Sequence, residues 1–145
     1  MDVTQRCNFE CFYIMRVVKD GNTEYQLNCH SYLFEATVKS ISNADIAIPF
    51  EDLKDCMKMV VPSNSYVYYR NDTHRSILDI KSNLDTMRIK SYPLDKFPCA
   101  ESLLQFITQR LQAILDCDYP GIIVVETKLR ESSDSYVTCK RKGGN

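Results

Sequence analysis

The stretch Arg6–Val18, RCNFECFYIMRVV, decides how the rest of the chain is read. It is rich in aromatic and β-branched residues, which suit a pleated, half-buried strand. Lys19-Asp20-Gly21-Asn22 follows, and Asp-Gly supplies the positive φ angles that a tight hairpin turn requires. Thr23–Ser40 then returns as a second long strand. Within it Phe34, Ala36 and Val38 alternate with Leu33, Glu35, Thr37 and Lys39, so one face is buried and the other is wetter. The two segments make a long antiparallel hairpin.

Downstream, Ile46-Ala47-Ile48 is a short apolar piece that ends at Pro49. Proline suits the first turn of a helix, where its missing N–H costs nothing. Phe50, Leu53, Met57 and Val60 recur at intervals of three and four, which predicts an amphipathic helix that Pro62 ends. Ser65–Arg70 reads as a strand, Asn71-Asp72-Thr73 as a turn, and Ser76–Lys81 as the returning strand of a second hairpin. Asp85–Tyr92 is expected to add a third strand to it. Pro98-Cys99-Ala100-Glu101 opens a second helix, whose stripe is Leu103, Leu104, Ile107, Leu111, Ile114 and Leu115. Pro120-Gly121 breaks the chain. Ile122–Arg130 is then an apolar strand, Glu131-Ser132-Ser133-Asp134 a turn, and Ser135–Arg141 a strand that pairs back. The expectation is an α+β fold, an antiparallel sheet with two helices packed on one face. Residues 1–141 form one domain in this reading and 142–145 a loose tail.

The 145 residues suffice to bury roughly two thirds of the unfolded surface. Lys+Arg is 18 and Asp+Glu is 19, a net charge of −1 that offers phosphates no attracting field. Tyr66, Tyr68 and Tyr69 beside Arg70 could present stacking faces, but cross-strand packing is their simpler role, and no nucleic-acid partner is expected. Ile122–Val125 is the longest purely apolar run, far short of the ~20 residues of a membrane span. No signal-peptide core follows Met1, so a cytoplasmic location is expected. The seven cysteines are an odd count without a C-x-x-C pair, which fits reduced thiols. A zinc site from Cys7, Cys11, Cys29 and His30 can be drawn, but neighbours on a strand point to opposite faces, and small apolar thiols are the plainer reading.

The order of elements and several local motifs resemble the 6-pyruvoyl-tetrahydropterin synthase and 6-carboxy-tetrahydropterin synthase family, which has the tunnelling fold. The pieces that carry the resemblance are Phe9-Glu10-Cys11-Phe12-Tyr13, Leu27-Asn28-Cys29-His30-Ser31-Tyr32, Ile46 through Lys54, Pro98-Cys99-Ala100-Glu101 and Ile122 through Thr127. The resemblance implies a homo-oligomer, a trimer or a hexamer of two stacked trimers, with a pocket between subunits for a pterin- or guanine-like molecule. It implies ligand-binding positions at Cys99, Ala100, Glu101, Glu126 and Thr127. A carboxylate such as Glu126 can accept two parallel hydrogen bonds from the N–H edge of a pterin or purine. Read without the family, Glu126 is an edge-strand glutamate facing water, and Glu101 a first-turn acid favoured by the helix dipole.

Members of that family hold a zinc ion with three histidines, and the resemblance places these at Tyr13, Asn28 and His30. Only His30 remains, and the chain has just 2 histidines. Roughly 10–16 kcal/mol for a complete structural zinc site is about 3–4 kcal/mol per ligand. Two missing ligands remove on the order of 6–8 kcal/mol, about four to six decades of affinity. The family's nucleophile position falls near Glu24, a weak candidate that is most simply a hairpin glutamate. Its Asp-His pair maps to Cys56-Met57, Tyr66-Val67 or Asp79-Ile80, none of which is Asp-His. The expectation is a divergent member without zinc-dependent lyase activity and without a cofactor, which keeps a pterin- or purine-type pocket or serves as an oligomeric module for a protein partner. The alternative is an active enzyme of tetrahydropterin biosynthesis that uses Glu24, with zinc on a metal site rebuilt from Cys11, Cys29 and His30.

Overall fold

A computed structural model of the protein describes residues 2–41 and 48–141. The apolar residues Ile46 and Ala47 and the 142–145 tail lie outside the described residues. The first hairpin is β1, Asp2–Lys19, and β2, Asn22–Ser40. Their register runs unbroken from Asp2 opposite Lys39 to Lys19 opposite Asn22. Asp20 and Gly21 close it with φ of 53° and 79°, both in the left-handed region that this two-residue turn demands. Helix α1 spans Phe50–Val60 and buries Leu53, Cys56, Met57 and Val60. Pro49 is its extended N-cap rather than its first helical residue.

The next segment departs from expectation. Strand β3 is Ser65–Tyr69, but Arg75–Thr86 is a helix, α2, where a returning strand was expected at Ser76–Lys81. Strand β4 is Ser91–Leu94, so the strand expected at Asp85–Tyr92 starts later and ends beyond it. The reason lies at the helix start. The Asp72 carboxylate accepts from the His74 backbone N–H at 2.9 Å, and His74 Nδ1 accepts from the Ser76 N–H at 3.2 Å. These bonds satisfy donors that a first helical turn leaves open. Arg75–Asp79 and Lys81–Asp85 add ion pairs at i,i+4 spacing.

Helix α3, Ala100–Asp118, leads into β5, Ile122–Arg130, which pairs with β6, Tyr136–Lys140. The six strands lie in the order β4-β3-β1-β2-β5-β6. Because a helix rather than a turn joins β3 to β4, the two run parallel, and β3 is also parallel to β1. The sheet is therefore mixed, not antiparallel throughout, and three helices pack with it, not two.

The main core joins one sheet face to α1 and α3. Cys7, Phe9, Cys11, Tyr13, Tyr32, Phe34, Ala36 and Val38 project from the hairpin, and Leu103, Leu104, Ile107, Leu111 and Leu115 from α3. Tyr66 and Ile77 are buried outside that cluster. Tyr66 alternates with the core residue Val67 and stacks on Phe12 and Tyr68, and Lys81 of α2 lies over the Tyr68 ring at 5.6 Å. Helix α2 thus covers the opposite face at the β4–β3 end of the sheet. No helix among the described residues is long and apolar enough to cross a membrane.

Candidate functional site

The long hairpin sets the site by its register. Tyr13 stands opposite Asn28, Cys11 opposite His30, and Phe9 opposite Tyr32. Directly opposed residues of an antiparallel pair share a face, and alternate residues repeat it. All six side chains therefore form one patch on the sheet face that carries α1 and α3. The three positions that the family resemblance assigns to histidines, Tyr13, Asn28 and His30, do come together there. Their chemistry is phenol, amide and imidazole.

Tyr13 and Tyr32 are almost wholly buried, 2% and 1% exposed. The Tyr32 hydroxyl donates to the Tyr13 hydroxyl at 3.4 Å. His30 Nε2 lies 3.4 Å from Asn28 Oδ1 and 4.0 Å from Glu131 Oε2. The His30 ring meets Tyr32 edge-on at 5.7 Å, and Phe9 stacks on Tyr32 from the other side at 5.4 Å. An aromatic and hydrogen-bonded plug fills the place where a chelate would have to form.

The protonation states follow from burial. Desolvation pushes both phenols above their ordinary range, with the hydrogen bond to Tyr13 and nearby Glu131 raising Tyr32 further. Burial also lifts the Cys11 thiol to about 12. In the metal-free protein this burial favours the neutral thiol and phenols. Cys29, the other thiol of the rebuilt site considered from sequence, stands opposite Phe12, on the face away from Cys11 and His30. Cys7 stands opposite Phe34, further along the core. Among the described residues no group of three or more His, Cys, Asp or Glu side chains could hold a metal ion. The residues present do not fit zinc.

The other positions singled out from sequence are dispersed. Glu126 is half-buried on the face away from α3, between Thr37 and Lys140 in register, with Lys128 Nζ at 4.0 Å. Thr127 points the other way, fully buried against α3. Thr108 Oγ1 donates to the Leu104 carbonyl at 2.7 Å, so Thr127 donates to Thr108 Oγ1, also at 2.7 Å. A bulge beside Glu126 makes Val125 the extra residue of β5, and lets both Val124 and Thr127 face the core. Cys99 is the N-cap of α3: its sulfur accepts from the Ser102 N–H at 3.5 Å while its own N–H donates to Ser102 Oγ at 3.0 Å. Ala100 and Glu101 form the first turn, Ala100 half-buried and Glu101 exposed. Ala100 lines a cleft of about 310 Å³ with Glu131 and Tyr136. Glu24 is exposed opposite Val17, in the distal half of the hairpin.

Sequence reasoning missed Tyr32 and Glu131. Tyr32 was recoverable, because a two-residue turn at Asp20-Gly21 fixes every partner by counting outward, and that count puts Tyr32 two residues beyond His30 on the same face. Glu131 was not, since it reaches His30 only through the pairing of β2 with β5.

The family model for 6-pyruvoyl tetrahydropterin synthase matches residues 2–142. No curated protein matches the chain at the level of sequence. Among solved structures, the Plasmodium vivax 6-pyruvoyl tetrahydropterin synthase superposes with a TM-score of 0.65 at 16% identity, covering 97% of this chain and 98% of that one. The Plasmodium falciparum enzyme gives 0.63 at 15% identity, with 97% of each chain covered. The Caenorhabditis elegans enzyme gives 0.60 at 9% identity, over 98% of this chain and 96% of that one. At such identities the superpositions speak for the fold.

Proposed function

The chain belongs to the 6-pyruvoyl tetrahydropterin synthase family, and from that premise we propose that it is a member without zinc-dependent lyase chemistry that keeps a pterin- or purine-type pocket between copies of itself. One observation carries the first half: Tyr13 and Asn28 face each other where two imidazoles would stand, and the Tyr13 hydroxyl is tied to Tyr32. Cys29 lies on the opposite face from Cys11 and His30, and among the described residues no three His, Cys, Asp or Glu side chains gather to replace the missing ligands.

Two features support the second half. Glu126 is a half-buried carboxylate on the sheet face away from α3, with one ammonium group at 4.0 Å and no shorter ion pair among the described residues. Its two oxygens are suited to a bidentate grip on a guanine-like N–H edge. Among the described residues, strand β1 pairs only with β2 between Asp2 and Glu10, and β6 pairs only with β5. These two different free edges invite head-to-tail pairing between copies, which closes a ring when the rotation allows.

The test uses purified full-length protein. Metal analysis should find far less than one zinc per chain. Neopterin or guanine should raise the melting temperature, by the equivalent of ~2.7 kcal/mol at one hundred times Kd. Glu126→Gln should remove that rise and leave the apo melting temperature nearly unchanged. Stoichiometric zinc with turnover of a pterin substrate would overturn the proposal in favour of an active enzyme. No response to either molecule would reduce the protein to an oligomeric interaction module.

A further inference from the structure

A second cleft, of about 420 Å³, lies between β4 and α3 and is lined by residues that the pterin reading does not use. Its charged residues are Arg70, Lys96 and Arg110 against one carboxylate, Asp95. Arg70 Nε engages Asp95 at 3.1 Å, and among the described residues Lys96 Nζ reaches only the neutral Gln105 side-chain oxygen, at 3.4 Å. The cleft therefore carries an excess of positive charge in a protein whose net charge is −1.

Arg110 is the telling residue. Its guanidinium lies over the Tyr92 ring at 4.9 Å and the Phe106 ring at 5.2 Å. Its Nη1 is shielded from solvent and has no hydrogen-bond partner among the described residues. Arg110 as a whole is half-buried, so one donor of its guanidinium is desolvated without an acceptor, a cost in free energy that a charged acceptor seated against it recovers. The Tyr92 and Phe106 rings, which meet edge-on at 63°, hold the guanidinium between them, and a planar fork recognises oxyanions in pairs of parallel bonds. Phe106, Leu94 and Pro93 add an apolar wall, and the volume falls in the range of small-molecule sites.

We propose that this cleft binds a small phosphate monoester, with Arg110 and Lys96 on the phosphate and the organic part against Phe106. The dianionic phosphate matches an excess of two cations better than a single carboxylate does. This site is separate from the Glu126 pocket, and either can fail without the other.

The probe is inorganic phosphate, titrated against the full chain at constant ionic strength, with acetate as the carboxylate arm and chloride as the reference. Phosphate should raise the melting temperature saturably and shift the Arg110 side-chain Nε–H resonance. Arg110→Met, which keeps a chain long enough to cover the rings, should weaken phosphate at least ten-fold. Arg75→Met, outside the cleft, should leave binding unchanged. If Arg110→Met does not fold, Lys96→Met reports on the same site and should weaken phosphate several-fold. A rise that does not saturate, that acetate reproduces, or that survives both cleft substitutions overturns the proposal.

Discussion

The Tyr32 hydroxyl donates to the Tyr13 hydroxyl across the first hairpin, from β2 to β1, at 3.4 Å in an almost fully buried setting. Tyr13 also stands directly opposite Asn28. A polar pair thus occupies one of the positions that the family resemblance assigns to metal-binding histidines, and it ties the two strands together from within the core. Its consequences can be measured.

Tyr13→Phe strips the acceptor from a buried O–H and should cost about 1–3 kcal/mol. Adding Tyr32→Phe removes the stranded donor as well. The double variant should therefore lose less than the sum of the single losses, as urea unfolding would show. Strict additivity would mean that the two hydroxyls do not interact.

The same register predicts a gain. Tyr13→His combined with Asn28→His would place two new imidazoles on the face that already carries His30. Zinc affinity should rise by about four to six decades, at ~1.4 kcal/mol per decade. Competition with a chromophoric chelator reads this directly. An unchanged affinity in a folded double variant would show that the three positions do not converge.

A second buried pair anchors β5 to α3. Thr108→Val leaves the Thr127 hydroxyl, which donates to it at 2.7 Å, without an acceptor. The expected loss is about 1–3 kcal/mol, and Thr127→Val in the same chain should restore part of it. Chemical denaturation of the two single variants and the double variant makes the comparison.

Alkaline pH should unfold the protein through its core. The folded Cys11 thiol titrates at about 12 against 9.0 in the unfolded chain, Cys7 at about 11, and Tyr66 at about 12 against 10.0. Each folded value is raised, so above pH 9 the unfolded state holds fewer protons than the folded one. Stability from these groups is intact below pH 9 and is lost as pH climbs toward 12. Melting temperature followed from pH 7 to 11 should be flat with respect to these groups at first and then fall. Cys11→Val should make the fall shallower. At pH 8 a thiol reagent should reach exposed Cys29 and Cys117 before Cys7 and Cys11.

The hairpin, α1, α3 and the β5–β6 pair were legible because each carries a long or strongly periodic pattern. Asp20-Gly21 left little freedom in the turn, and the stripe from Leu103 to Leu115 left little in the helix. Ser76–Lys81 was misread because six residues, SILDIK, offer too short a window to tell alternation from a helical turn. The better signal lay outside the window: Ile77, Ile80 and Leu84 recur at helical intervals, and Asp72 and His74 precede them as caps. Once α2 was missed, the parallel strands were missed with it, since only a crossover can place β4 parallel to β3.

By itself the sequence determined what is absent from the metal site, because no fold can supply imidazoles that a chain with 2 histidines does not contain. It also determined the hairpin register, and with it the company that Tyr13, Asn28 and His30 keep. Tertiary structure alone decided that Glu131 approaches His30, that Thr127 turns inward to Thr108 while Glu126 faces the other side, and that Arg110 lies over Tyr92 with no acceptor at Nη1 among the described residues. The physical reason is the range of the interactions. Strand alternation and turn chemistry act over a few residues and are written locally, whereas burial and charge pairing join residues that only the closed sheet and its packed helices bring together.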